Sequence, residues 1–388
     1  MLTLVAAWFG WMFAAMAAAG SIYAAMSAVL VSRFFQSGRS PAAGLAETAP
    51  HRETVSLLKP LHGAEPGLRQ NLTAHFLLRF SNPVQIVSGV QRADDPAADV
   101  ARAVMAEHPG IRAMVVVGDR PEVANRKIAN LIQIFPHATG EILVLTDSDI
   151  KPPPDHLRRV TAALAEPGVG VVTCPYFGEG ETGFWSDIAA QGLSYQFLPN
   201  VITGVSLGMA TPCMGSTIAL RRETLARIGG FDAFGATLAD DYAIGAGVRA
   251  LGLRSVTAPA PVAHSCTETT LGEVFRHELR WARTIKGVDL AGHAGSVVTH
   301  PVPLALLAVL FTGFSPLAVA LLVTAAVARF LLSVAIDRAV GRRGRLLWLL
   351  PLRDMLSFSI FVASFLGQAV EWRGEKFHVS TNGDLSPV

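Results

Sequence analysis

The chain has 388 residues, 51% of them hydrophobic and only 16% charged, which argues against a wholly soluble protein of ordinary composition. A net charge of +2, with no basic stripe and interleaved aromatics, gives no basis for nucleic-acid binding. Three cysteines, Cys174, Cys213 and Cys266, are far apart and odd in number; they offer no disulfide framework and no zinc spacing, which fits a reducing compartment.

The apolar excess is uneven. It lies in the first 31 residues and over 296–370, with mixed composition between, which predicts a water-soluble domain flanked by membrane segments. Leu2 to Val31 contain no charged residue and are long enough to cross a bilayer. A cleaved signal peptide has a shorter apolar core, about 7–15 residues, preceded by positive charge. Residues 1–33 therefore read as an anchor. Arg33 and Arg39 follow it and no basic residue precedes it, so the positive-inside rule places the N-terminus outside and the next domain in the cytoplasm.

Residues 34–53 read as a linker, and 54–290 as the cytoplasmic domain. A first strand runs from Val55 to Leu58 and ends at Lys59-Pro60-Leu61. A helix over 66–79, a strand over 84–90, a helix over 97–107 and a strand over 113–117 follow. A helix over 122–135 and the buried strand Ile142 to Leu145 complete an alternation that predicts a doubly wound, mainly parallel sheet. Asp94 and Asp95 then fall just after one strand, and Asp147 and Asp149 just after another. Carboxyl ends of strands are where open α/β sheets gather ligands. Two carboxylates two residues apart can share a divalent cation, which can in turn hold a diphosphate. The plain alternative is a polar turn with capping residues.

Beyond Pro152 to Pro154, a helix over 155–165 and a strand over 169–173 are expected. Cys213 to Arg222 read as a strand entering a helix at 223–228, and Gly229-Gly-Phe-Asp232 as a turn. Asp240 and Asp241 open a helix that runs to about Leu251, where capping is their routine role. An Arg-rich helix over 271–286 carries His277, Arg280 and Trp281. Its arginines suit phosphate oxygens, its indole suits a sugar or prenyl-like surface, and a basic helix lying on anionic lipid is the alternative. Val302 to Thr312 and Leu317 to Ile336, separated by Gly313 to Pro316, read as a helical hairpin within 296–370. Arg338, Arg342, Arg343 and Arg345 put the next loop on the cytoplasmic side. Pro351, Arg353 and Asp354 interrupt the last apolar stretch, which reads as a bent or interfacial helix rather than a plain span, with 371–388 a cytoplasmic tail.

In order, an acidic pair before Pro96, Asp147-Ser-Asp149, Asp240-Asp-Tyr242 and His277-Glu-Leu-Arg-Trp281 resemble the "D, D, D, (Q/R)xxRW" pattern of inverting GT-A glycosyltransferases. With Lys59-Pro-Leu61 and Asn125-Arg-Lys-Ile-Ala-Asn130, the chain from about 50 to 380 resembles the ceramide glucosyltransferase family. Arg276 to Thr284 and Val298-Thr-His-Pro301 resemble its bacterial hopanoid branch, whose members transfer N-acetylglucosamine to bacteriohopanetetrol. His277 departs from the pattern, which has Gln or Arg there. Asp149 completes an Asp-x-Asp that some ceramide-directed members lack.

The resemblance implies a GT-A-like, doubly wound, mainly parallel sheet with N-terminal and C-terminal transmembrane helices, held in a bacterial inner membrane with the catalytic domain facing the cytoplasm. It implies inverting transfer from a UDP-sugar donor, UDP-N-acetylglucosamine favoured, to the hydroxyl of a membrane lipid at the bilayer. Asp95 or Asp94 would bind uracil and ribose. Asp147 and Asp149 would hold Mg²⁺ or Mn²⁺, with Asp147 also touching nucleotide. Asp241 would be the general base, with Asp240 as the fallback. Arg280 would pair with the diphosphate beside His277, and Trp281 would line the acceptor site. Lys127 would add positive charge near phosphate, or else lie on a solvated helix face. Rival readings are a ceramide glucosyltransferase using UDP-glucose, a processive polysaccharide synthase and a non-catalytic nucleotide-binding scaffold.

Overall fold

The computed structural model describes residues 2–38, 53–118, 123–237, 239–367, 369–372, 375–379 and 385–387. Of the expected linker, 39–52 lie outside the described residues, as do parts of the expected tail. The chain forms two compact units. One comprises Gln36–Gly183 and Leu207–Thr267; the other comprises Met1–Phe35, Phe184–Ser206 and Glu268–Val388.

Among the described residues the first unit holds ten strands: β1 (Val55–Pro60), β2 (Val84–Val90), β3 (Arg112–Val117), β4 (Ile142–Leu145), β5 (Ile150–Lys151), β6 (Val169–Thr173), β7 (Tyr176–Gly180), β8 (Ile218–Arg221), β9 (Arg254–Thr257) and β10 (Val262–Cys266). Seven form one sheet in the order β3-β2-β1-β4-β8-β6-β9. Its pairs are parallel except where β8 runs against β4 and β6. A smaller sheet has the order β5-β10-β7.

Alternation along the strands splits the core in two. Leu57 and Val144 pack on one face, with the helices Leu68–Phe76, Pro96–Glu107 and His156–Leu164. Leu58, Leu143 and Leu145 pack on the other, with the helices Arg126–Ile134, Arg222–Arg227 and Asp240–Ala250. A sheet covered on both faces needs near-continuous apolar strands, and β4 and β6 have them. This is the expected doubly wound, mainly parallel fold. The turn at Gly229 and Gly230 takes φ of 94° and 70°, open to glycine at little cost.

Among the described residues, three helices, which fall mainly in the second unit, are long and apolar enough to cross a membrane: Val5–Ser37, Pro316–Val340 and Leu347–Ser364. Leu290–Thr299 and Pro301–Phe311 would make a fourth, bent by 67°. Small residues bring helices close, with Ala17 packed among Ala305 and Ala325, and Ala14 among Ala308 and Ala318. The charges that break the last apolar stretch are paired. Asp354 accepts two hydrogen bonds from Arg329, at 2.9 and 2.7 Å, and Arg353 reaches Glu278 at 2.5 Å. Arg353 also donates to the Ile188 carbonyl and Ser357.

Candidate active site

Asp147 and Asp149 lie in the loop between β4 and β5, at the carboxyl end of a central strand. The helix Arg126–Ile134 begins later than the sequence suggested, because Asn125 caps it. The Asn125 side-chain oxygen accepts from the backbone N–H groups of Lys127 and Ile128. The cap sets Lys127 in the first turn, with Nζ 2.7 Å from Asp147 Oδ1 and 3.4 Å from Asp240 Oδ2. The side chain is largely buried between these acids, not on a solvated helix face.

Asp240 and Asp241 open their helix but do not cap it; Ala239 holds the N-cap position. Asp240 instead accepts from Asn125 Nδ2 at 3.2 Å. Asp241 accepts from the Gly215 N–H at 3.0 Å through one oxygen and from the Tyr242 N–H at 2.8 Å through the other. Gly215 is needed for close approach, since a Cβ there would meet Asp147 Oδ2 at 2.7 Å and Lys127 Nζ at 2.9 Å. Segments around 127, 147, 215 and 240–241 therefore converge within one unit.

The electrostatics follow from this crowding. Burial and the adjacent Asp240 carboxylate push Asp241 up to about 6, despite Lys127. Burial also raises Asp147, against the pull of Lys127. Burial works against a charged Lys127, but Asp147, Asp240 and Asp241 outweigh it and raise its pKa. Beneath the loop, burial pulls the fully enclosed Lys59 down to about 7, opposed by Asp147 and Asp149.

The donor set fits a hard divalent cation. Asp147 and Asp149 supply carboxylate oxygens on one short, partly exposed loop, with the further carboxylates of Asp240 and Asp241 close to Lys127. Among the described residues no three His, Cys, Asp or Glu side chains converge as a ready-made cage. Such an ion would then complete its shell from donor phosphates and water, as Mg²⁺ does in phosphate-transfer sites.

The acidic pair after β2 divides. Asp95 is buried as the N-cap of Pro96–Glu107 and accepts from Ala97 N–H, from Gly63 N–H at 2.9 Å and from His62 at 3.1 Å. Asp94 is exposed and forks onto Arg92.

The remaining expected residues stand on the helix Leu271–Val288, which belongs to the second unit. His277 Nδ1 lies 2.6 Å from Glu268, and its ring is 4.2 Å from that of Trp281. The Arg280 guanidinium lies 6.0 Å from the Trp281 ring.

The model of glycosyl transferase family 21 matches residues 12–385, nearly the whole chain. The chain belongs to glycosyl transferase family 21. It is 23% identical over 238 residues to ceramide glucosyltransferase 1 of Caenorhabditis elegans, covering 61% of this chain and 51% of that one. It is 22% identical over 358 residues to ceramide glucosyltransferase 3 of the same organism, covering 86% and 74%. The chain thus spans about half the length of the first of these relatives and about three quarters of the second. Among solved structures it is similar to a mannosyltransferase from Pyrobaculum calidifontis in complex with GDP-Man and Mn²⁺, at 20% identity and a TM-score of 0.45, covering 90% of this chain and 99% of that one.

Sequence reasoning missed several residues at this family 21 site. His264, on β10, lies 3.2 Å from Asp149 and stacks on Tyr176; it carries no local signal, because the pairing is made by the small sheet. Asn125 and Lys59 stood in the quoted motifs without a role; a cap-type residue and a charge ending an apolar strand were the signals that could have given them one. His75 and Asn71 had no such mark.

Proposed function

We propose that this family 21 enzyme transfers a sugar from a UDP-sugar to the hydroxyl of a membrane lipid, with inversion at the anomeric carbon. The convergence of Lys127, Asp147, Asp240 and Asp241 at one end of the parallel sheet carries the reading. Asp241 is the general base that takes the acceptor proton. Its neighbour Asp240 is held by Lys127 and Asn125, whereas the Asp241 carboxylate accepts from the backbone N–H groups of Gly215 and Tyr242. A carboxylate near 6 is matched to proton abstraction at neutral pH, a contribution of roughly 10²–10⁴-fold. Asp147 and Asp149 would hold Mg²⁺ or Mn²⁺, which when bound stabilises the charge on the departing diphosphate. Lys127 adds a fixed positive charge beside Asp147, and Asp95 is the candidate for the nucleoside. Arg280 is assigned to the diphosphate, with His277 beside it, and Trp281 to the acceptor. Asp94, exposed and tied to Arg92, is the weaker nucleoside candidate.

The membrane-type helices of the second unit support an acceptor whose apolar body stays in lipid. The names of the ceramide glucosyltransferase relatives favour glucose as the sugar and a ceramide-like acceptor. The phrases at Arg276–Thr284 and Val298–Pro301 favour UDP-N-acetylglucosamine and a hopanoid in a bacterial inner membrane, with the catalytic residues facing the cytoplasm. Incubating membranes that contain the enzyme with each labelled UDP-sugar, then identifying lipid products by mass, tests the proposal and separates these two. Label in polymer, or in no lipid at all, would defeat it.

A further inference from the structure

The loop that carries Asp147 and Asp149 has no regular ladder of its own, yet each of its three backbone carbonyls is held. The buried Lys59 ammonium donates to the Asp147 carbonyl at 2.5 Å. Asn71 Nδ2 donates to the Ser148 carbonyl at 3.3 Å. The Ser265 N–H donates to the Asp149 carbonyl at 2.8 Å. Lys59, Asn71 and Ser265 come from β1, the helix Leu68–Phe76 and β10, so three elements meet on one short turn.

Behind Lys59 stands His75, fully enclosed. His75 Nδ1 is 2.8 Å from the Asn71 carbonyl, which can only accept, so Nδ1 carries the proton. Burial and the neighbouring Lys59 favour the neutral ring, so Nε2 is an acceptor, 3.0 Å from the Thr146 hydroxyl and 3.4 Å from Lys59 Nζ. A second lysine, arginine or protonated histidine in that place would repel Lys59; a neutral imidazole steers it onto the carbonyl. Asn71 is itself fixed, its Oδ1 lying 3.0 Å from Ser265 Oγ. A buried lysine used to grip one backbone carbonyl is a costly choice for stability alone, because its desolvation needs compensation. The carbonyl it holds belongs to Asp147, in the loop whose backbone sets the separation of the Asp147 and Asp149 carboxylates and so whether one cation can bridge them.

We propose that Lys59 and Asn71, oriented by His75 and Ser265, are positioning residues that fix the backbone of the Asp147–Asp149 loop for cation binding. This rests on the reading of that loop as the cation site. Supporting groups of this kind typically matter by about 10–100-fold in metal affinity.

The experiment uses the full-length protein in detergent and measures Mn²⁺ affinity in the presence of UDP by paramagnetic resonance, UDP affinity without metal by calorimetry, and the unfolding midpoint. Lys59→Met and Asn71→Leu keep the volume of each side chain and remove its donor. Each is expected to weaken Mn²⁺ by about 10–100-fold while metal-free UDP affinity stays within about twofold. Asp147→Asn serves as the reference for losing a cation ligand. Unchanged Mn²⁺ affinity in both donor variants, with a loss in Asp147→Asn, would overturn the cradle alone. Unchanged affinity in all three would overturn the cation reading with it. Equal losses of Mn²⁺ and metal-free UDP, or failure of both donor variants to fold, would assign these residues to the fold and also overturn the proposal.

Discussion

Lys127 Nζ lies 2.7 Å from Asp147 Oδ1, joining the first turn of one helix to the loop beyond a central strand. The same ammonium reaches Asp240 at 3.4 Å, so one cation tethers acids that are far apart in sequence. Removing it leaves Asp147 and Asp240 facing each other with little water. Lys127→Met should cost about 3 kcal/mol in unfolding experiments, the scale for breaking a buried pair. The loss should shrink at acid pH. Lys127 holds the burial-raised Asp147 carboxyl down, so without it the folded-state pKa of Asp147 rises further, the folded variant binds more protons, and its stability falls as pH rises through that pKa. Equal destabilisation at pH 5 and pH 8 would count against the pairing.

As the proposed general base, Asp241 should set the acid side of the pH profile. Its carboxyl is raised to about 6 by burial and by Asp240, and a base must be ionised to act. Turnover should therefore rise as pH increases through about 6. Asp240→Asn removes the like charge beside it, so the rise should move to lower pH. A profile unmoved by Asp240→Asn would disconnect Asp241 from the limb.

Gly215 tests the packing of the site. Its φ is not in the left-handed region, so Gly215→Ala adds bulk without backbone strain, but the new methyl group would stand 2.7 Å from Asp147 Oδ2. Asp147 and Lys127 must shift at their flexible ends. Activity should fall roughly 10²-fold, the scale for a misplacement of about 1 Å, with a small change in unfolding midpoint. A fully active Gly215→Ala enzyme would show that Asp147 need not be where it stands.

Much of the sheet was legible because its strands are short apolar runs bounded by polar turns. Ile142–Leu145 and Val169–Thr173 appear with the expected bounds, and Asp147 and Asp149 follow the first of them. Strands β5 and β7 were not legible: Ile150-Lys151 is two residues long, and Tyr176 to Gly180 holds two glycines and a glutamate. Their partner β10 supplies His264 and Ser265, so the missed sheet and the missed site residues are one omission. The start of the helix at 126 was misjudged because periodicity extends through 122–125, while Asn125 ends it by capping. Asp240 and Asp241 read as caps in isolation, since only tertiary contacts with Lys127, Asn125 and Gly215 distinguish a cap from a site.

In the second unit, Arg329 and Asp354 form a bidentate pair with side chains 5% and 3% exposed, within helices apolar enough to cross a membrane. Asp354→Asn leaves an uncompensated guanidinium and should cost about 3–5 kcal/mol in reversible unfolding in detergent. Arg329→Met together with Asp354→Leu should recover much of that loss, because the apolar pair needs no desolvation. A double variant as unstable as the single one would indicate that the pair does more than neutralise charge.

The central claim is that acids distant in sequence form one base-assisted sugar-transfer site acting on lipid. The most direct measurement compares wild type with Asp241→Asn, following transfer from a labelled UDP-sugar into extracted lipid together with UDP affinity. The account predicts a lipid glycoside of inverted anomeric configuration from wild type, a loss of roughly 10²–10⁴-fold in Asp241→Asn, and UDP affinity retained in both. Undiminished transfer by folded Asp241→Asn, or a product that retains the donor configuration, would contradict it.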